Sequence, residues 1–399
     1  MKYLKKFFSL LLWFVFILIA LLFVQYVFAP VYDFHEKENF SGDHIYNPYQ
    51  HMDSSAWKKA NFQVQSRVWG GITNGRDNSN SMIDSIYRYL DYDIIAISDY
   101  MRINKFGREK KSYLPVYEHG YSILKHHQIC VGAERVNWRD YAFYQSLHHK
   151  QHIIDILRDE NEFIIMAHPK LRDAFDPGDF SWLRGFDAIE ILNFYRVSIV
   201  HWDSALSAGN FVTAIGNDDA HDISNPDEVG QYCTFINTEM HSDSIISALR
   251  QGNSYAARMF RYVGETYEEK KKKLDEVAQL SRAELVGDTF YVKVDLSASQ
   301  IRFIGQGGHL LKETENASEA FYVIRDEDTY VRTELIFPNR NEIYLNPLVR
   351  YSQNWPPARD LPKVNPLRTW IYRILVGATF AFVIINIIIL RQRLIKKKS

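Results

Sequence analysis

Val212-Thr213-Ala214-Ile215-Gly216-Asn217-Asp218-Asp219-Ala220-His221-Asp222 reads as a short apolar strand that runs straight into a turn loaded with carboxylates and an imidazole. Six more short apolar runs precede or follow it, near Asn61 to Gln65, Ile94 to Ser98, Ile129 to Gly132, Phe163 to Ala167, Ala188 to Ile191 and Tyr232 to Ile236. Between them, stretches such as Met82 to Leu90, Gln151 to Arg158 and Val200 to Ala208 space their apolar residues three and four apart, as one-sided helices do. Strands alternating with helices are the sequence form of a parallel sheet or barrel. The pattern therefore predicts an α/β fold, a distorted TIM-like barrel of seven βα units, over residues 55–260.

Beyond it the period changes. The run Glu268 to Lys273 has few apolar neighbours and reads as a solvated helix face or linker that marks a domain boundary. Phe290, Val292, Val294 and Leu296 then alternate with polar residues, as do Val331, Thr333, Leu335 and Phe337. Period two predicts a small antiparallel, sandwich-like β domain over residues 285–350. Pro356, Pro357, Pro362 and Pro366 form an extended, proline-stiffened lead out of it.

In a parallel βα barrel the loops after the strands converge on one face, so chemistry is expected there. Nearly every predicted strand ends in a candidate: Gln63 and Gln65 after the first, Asp99 and Tyr100 after the second, Glu134 after the third, His168 after the fourth, Glu190 and Asn193 after the fifth, Asp219 and His221 after the sixth. Each alone is ordinary. Together, convergent carboxylates and imidazoles are costly to desolvate without a compensating cation, which implies a bound metal.

These residues resemble the polymerase and histidinol phosphatase (PHP) superfamily over about residues 55–260. Its members are distorted seven-stranded barrels that hold up to three metal ions and hydrolyse phosphate esters. Glu134 aligns with the family's metal-bridging carboxylate, His168-Pro169 with its fourth-strand ligand, and Asp219-Ala220-His221 with its closing pair. The opening motifs depart from the pattern: Gln63 and Gln65 stand where histidines are expected, and Tyr100 replaces a third, leaving Asp99. The tail also looks like the β domain that follows such barrels in some membrane-associated relatives, through Tyr330 to Glu334 and Asn346-Pro347.

What the resemblance implies is a metal set of Glu134, His168, Asp219, His221, Asp99, Gln63 and Gln65, with Asp99 either coordinating or orienting an imidazole. Asp99, Glu134 and His221 would be catalytic. Glutamine is a poor ligand for zinc and an acceptable one for harder ions, so magnesium, manganese and zinc all stay open. Arg102, Lys170 and Arg196 follow strands closely enough to clamp an anionic group on a small-molecule or envelope-associated phosphate ester. The glycine-rich stretch Arg67 to Arg76 suits a flexible rim, and turn geometry explains it equally well. The expected function is a metal-dependent phosphoesterase with a partly degenerate site; the alternative is a catalytically silent ectodomain that binds a ligand or protein partner.

Composition places this body. The 399 residues are 46% hydrophobic, 15% aromatic and 24% charged, which excludes a disordered tail or a disulfide miniprotein. The 47 basic and 48 acidic side chains sum to −1. Eight of the basic ones lie in the two ends with no acids, leaving 39 basic against 48 acidic side chains, a net of −9, over residues 29–373. A body of that sign is unsuited to wrapping nucleic acid. Phe7 to Phe28 carries no formal charge and is long enough to cross about 30 Å of hydrocarbon as a helix. A cleavable signal peptide is the alternative, against which stand its length and the lack of a small-x-small site at Val27-Phe28-Ala29. A second spanning helix is expected over residues 370–390, with an apolar segment from Ile374 to Leu390 preceded by the interfacial residues Trp370, Tyr372 and Arg373. Lys2, Lys5 and Lys6 at one end and Arg391 to Lys398 at the other put both termini in the cytoplasm by the positive-inside rule, with the body on the far side. Cys130 and Cys233 sit in apolar runs and read as buried core residues that do not fix the compartment.

Overall fold

The computed structural model describes residues 2–35, 38–73, 75, 77–352, 354–356 and 360–396. Arg76, Pro357, Lys397 and Lys398 lie outside the described residues. Helix α1 (Lys2–Val27) leads into β1 (Tyr32–Asp33) and β2 (His44–Tyr46). The α/β region follows as β3 (Trp57–Asn61), α2 (Asn80–Tyr89), β4 (Ile94–Ile95), β5 (Val116–His119), β6 (Gln128–Val131), α3 (Leu147–Arg158), β7 (Phe163–Met166), β8 (Ala188–Asn193), α4 (Ile199–Ser207), β9 (Thr213–Asn217), β10 (Tyr232–Asn237), α5 (Ser242–Gln251) and β11 (Ser254–Arg258). The tail comprises α6 (Tyr267–Lys272), β12 (Leu280–Val286), β13 (Thr289–Gly305), β14 (His309–Val323), β15 (Tyr330–Ile336), β16 (Glu342–Tyr351) and β17 (Lys363–Val364), and α7 (Pro366–Lys396) closes the chain.

Each of the seven predicted strands overlaps an observed one, yet they do not close into a barrel. They divide between a five-stranded sheet, β5-β6-β7-β8-β9, and a ten-stranded sheet that includes β11-β10-β3-β4. An unpredicted strand, β5, alters the pattern. β5 and β6 pair as an antiparallel hairpin and β6 runs antiparallel to β7, so only β3/β4, β7/β8 and β8/β9 are parallel. The two sheets touch through single bridges, Val64 with Ala220 and Tyr100 with Glu118. The first strand also ends four residues earlier than expected. Past Asn61 the backbone bonds leave the ladder: Phe62 donates to the Asn217 side chain (2.7 Å), Asp219 to Gln63 O (3.0 Å) and Gln65 to Ala220 O (3.0 Å).

The tail is antiparallel, as its alternation predicts, and its strands continue the sheet of the α/β region. β16 pairs with β15 on one side and with β11 on the other. Trp57, Tyr255, Phe290, Phe303 and Leu335 accordingly share one buried core. Arg332, 2% exposed, clamps Asp203 of α4 through paired bonds of 2.7 and 2.9 Å, tying the tail to the far layer. The Glu268 to Lys273 run is a capped helix, with Thr266 accepting from Glu269 N. It is not wholly solvated: Lys270 is buried, donating to Val229 O (2.6 Å) and Pro226 O, and burial pushes its pKa down to about 8.

α1 and α7 contain apolar stretches of 22 and 28 residues, Lys6–Val27 and Pro366–Arg393, long and apolar enough to cross a membrane and unburied by the rest of the chain. They lie side by side with opposite directions: Arg373 donates to Phe28 O (3.0 Å), Phe23 meets Phe380 (6.5 Å) and Arg391 lies over Trp13 (4.3 Å). The two outer ends are therefore neighbours, and the body sits at the opposite end of the pair.

Candidate metal centre

The β5–β6 hairpin decides where chemistry collects. Because β6 reverses relative to β7, the end of β5, the start of β6 and the ends of β7, β8 and β9 all lie at one edge of the five-stranded sheet. Glu118 of β5, His127 just before β6 and His168 just after β7 meet there, and all three are buried. The turn between the hairpin strands passes through Gly120 at φ +124°, where a Cβ would stand 2.7 Å from the His127 ring. Glycine is required for that approach. His168 (φ 29°) and Asp219 (φ 53°) hold left-handed backbone, a costly conformation for non-glycine residues that gathers at functional sites.

One donor atom from each of Glu118, His127 and His168 lies within 4.8 Å of the others. Glu118 is hydrogen-bonded to His127 and stands 3.5 Å from His168 Nε2, while Gln65 Nε2 donates to its other oxygen at 2.5 Å. Donors around a four-coordinate ion with bonds of 2.0–2.1 Å sit roughly 3.3 Å apart; the 3.5 Å between Glu118 and His168 matches that, while His127, hydrogen-bonded to Glu118, would have to draw back slightly to share an ion. Other buried side-chain atoms have no hydrogen-bond partner: both amide atoms of Gln63, Gln65 Oε1, His168 Nδ1 and Asp219 Oδ1, the last standing 3.8 Å from His221 Nδ1. Buried polar groups are normally satisfied, so these atoms fit a site built to hold a ligand.

The electrostatics favour a cation. Glu118 is held below the usual carboxylate range: burial opposes ionisation, and His127 and then His168 outweigh it. Burial alone would lower His168, yet Glu118, Asp219 and Glu190 hold it up at about 9. Burial raises Asp219 to about 6 and, with Asp219 adding to it, Glu190 to about 8. Three carboxylates crowd one imidazole, and a divalent ion answers that charge more fully than a proton on His168. Glu190 organises the floor, accepting from His168 N (2.6 Å), Asn217 Nδ2 (2.8 Å) and Asn193 Nδ2 (3.0 Å); Asn193 also donates to Asp219 (3.2 Å).

The sequence-predicted residues divide around this centre. His168 is one of its three donors, Gln65 donates to Glu118, and Asp219 acts on His168 through its charge; the Gln63 side chain is buried, with neither amide atom hydrogen-bonded. His221 stands at its mouth, its Nε2 3.4 Å from the Tyr100 hydroxyl, its Nδ1 3.3 Å from that of Tyr195 and 2.7 Å from Asp219 O. Tyr100 thus fills the place of the expected imidazole with a phenol that burial keeps protonated. Asp99 is occupied elsewhere, accepting from Ser66 N and Oγ (2.9 and 2.8 Å) and Asn104 Nδ2 (2.7 Å) to tie the rim together, with its carbonyl receiving Glu118 N (3.1 Å). Glu134 is not brought to the centre. It is exposed, and its N–H donates to Glu160 O (3.1 Å) at the far edge of the sheet, because β6 runs antiparallel to β7 and delivers its carboxyl end away from the site. Arg102, Lys170 and Arg196 are exposed. Glu118 and His127 were missed for the same reason Glu134 was chosen, since no strand was expected at Val116 to His119. The doublet His126-His127 ahead of Ile129-Cys130-Val131 is the signal from which His127 could have been read.

No protein-family description matches the chain, and no curated protein matches it. Among solved structures it is similar to a two-domain protein from Bacteroides vulgatus ATCC 8482, described as containing a predicted PHP-like metal-dependent phosphoesterase. The two share 11% identity and a TM-score of 0.38, over 83% of this chain and 99% of that one.

Proposed function

We propose that this chain is a membrane-anchored, metal-dependent phosphate-ester hydrolase whose ion is held by Glu118, His127 and His168. The buried meeting of those three donors is the observation that carries the reading. Asp219, with one unpartnered oxygen, and Gln63, with an unpartnered amide, extend the donor set. The sequence resemblance at His168-Pro169 and Asp219-Ala220-His221 supports it. A bound ion would supply Lewis acidity and an activated water. At the mouth, the phenols of Tyr100 and Tyr195 and the imidazole of His221 offer hydrogen bonds to phosphoryl oxygens and a proton for the leaving oxygen. Lys125, with Nζ 5.5 Å from the Tyr100 ring centre, adds positive charge beside them.

Membrane anchoring is supported by the helix pair, whose apolar stretches stay largely outside the body. Exposed apolar surface on that scale is costly in water and favourable in hydrocarbon. With the basic ends together, both termini are assigned to the cytoplasm and the body to the other side.

The test uses the full chain in detergent or nanodiscs. Metal content is measured, and phosphate release is followed from a panel of mono- and diesters with magnesium, manganese or zinc. We expect bound metal, turnover, and its loss in Glu118→Gln and His168→Gln but not in Glu134→Gln. Bound metal with no release from any ester would replace hydrolysis with ligand binding, and a fully folded protein that takes up no metal would end the reading altogether.

A further inference from the structure

The body meets the helix pair through the loop between β6 and α3. Phe143 stacks on Phe23 of α1, centroids 5.0 Å apart and planes at 20°, and its N–H donates to the Tyr26 hydroxyl (2.8 Å). Phe23 lies five residues before Phe28, the end of the apolar stretch, or about 7.5 Å into it at 1.5 Å per residue. A loop of the body therefore reaches alongside α1 at a level where that helix carries no charge and a single amide, Gln25. The next residue, Tyr144, is 71% exposed.

From there a series of contacts runs toward the metal centre. Gln25 Nε2 donates to the Tyr121 hydroxyl (2.9 Å), and Ile123, 55% exposed, is tied to the loop by its N–H to Ala142 O (2.9 Å). Tyr121 follows Glu118 by three residues, about 10 Å of extended chain. Trp138, 58% exposed, meets Trp69 edge-on at 5.9 Å, and Trp69 Nε1 donates to Tyr100 O (2.8 Å) at the mouth. Cations border this apolar band: Lys125 beside Tyr100, and Arg172, which donates to Ile123 O (2.8 Å). Exposed aromatic and aliphatic side chains rimmed by basic ones are what a protein surface shows to the headgroup layer of a bilayer.

Building on the hydrolase and membrane readings above, we propose that this band lies in the interfacial layer of the membrane that α1 and α7 cross, so that the centre opens onto the bilayer and its substrate is a lipid bearing a phosphate ester. In the reaction a water oxygen bonds to phosphorus, the P–O bond to one ester oxygen breaks, and the water proton ends on that leaving oxygen. The apolar chains never leave the membrane; only the headgroup enters the pocket.

Two measurements test this. In the first, the full chain is reconstituted in phosphatidylcholine vesicles carrying phosphatidic acid or phosphatidylglycerol, and release is compared with that from the short-chain, water-soluble forms of the same esters. Ile123→Asp and Tyr144→Asp should lower turnover of the vesicle-borne esters tenfold or more and leave the soluble ones within twofold. Equal effects on both, or on neither, would overturn the lipid assignment and leave the hydrolase reading intact. Absence of release from every ester would instead sink the hydrolase reading, and the lipid assignment with it. The second measurement reads the band's position without catalysis: spin labels on Ile123→Cys and Tyr144→Cys, in a chain whose two native cysteines are buried, are compared with one on Val286→Cys in the β12–β13 turn. The first two should show the oxygen accessibility of membrane-embedded sites and the third that of water; three labels equally wet would overturn the placement.

Discussion

Replacing Glu118 by glutamine keeps the side chain's shape and its place beside Gln65, and removes the one anionic oxygen shared by His127 and His168. A metal that binds only the folded chain stabilises it by about 2.7 kcal/mol when present at a hundred times its dissociation constant. Unfolding entropy runs near 2.1 cal/mol/K per residue, which for the roughly 340 residues between the two long helices amounts to about 0.7 kcal/mol/K. The ion should thus raise the midpoint of thermal unfolding by about 4 °C. In Glu118→Gln, measured at the same metal concentration, the shift should fall below about 1 °C, and in Glu134→Gln it should persist in full, since that carboxylate is exposed at the opposite sheet edge. The assay is a melt of the full chain in micelles with and without manganese or zinc, read by circular dichroism. A full shift surviving in Glu118→Gln, or vanishing in Glu134→Gln, would refute the assignment of the centre.

Other perturbations follow from the same geometry. Gly120→Ala places a methyl 2.7 Å from the His127 ring at a φ of +124°, so metal affinity measured by calorimetry should fall roughly ten- to hundredfold while the fold survives; unchanged affinity would show that His127 is not a ligand. Gln63→His gives a buried position with two unpartnered amide atoms an imidazole, and zinc affinity should rise by competition titration. Arg332→Ala strands Asp203 beneath the tail and should cost about 3–5 kcal/mol in urea unfolding, against little loss if the pair were dispensable. At α3, burial holds His149 and His152 down at about 4, below their ordinary 6.5. Their folded-state pKa values are depressed, so the stability they contribute is present above pH 6.5 and lost as pH falls toward 4. Hydrogen exchange across residues 141–152 should quicken over that window, and a flat profile would contradict it.

What lay open in the sequence was whatever local pattern controls: seven strands near their observed places, the period-two tail, two helices long and apolar enough to span a bilayer, and the polar turn ending in Asp219 and His221. Each depends on neighbours a few residues apart. The direction of β6 does not. Four-residue β5 carries too little periodicity to be seen, and one unrecognised antiparallel strand reverses the strand after it. That reversal sends Glu134 to the surface and brings Glu118 and His127 to His168. Sequence spacing states which residue types are available for a metal; strand direction, a property of long-range pairing, decides which of them face one another. For the same reason only the folded chain joins the tail's sheet to that of the α/β region through β16 and β11, and sets Phe143 against Phe23 across 120 residues of sequence.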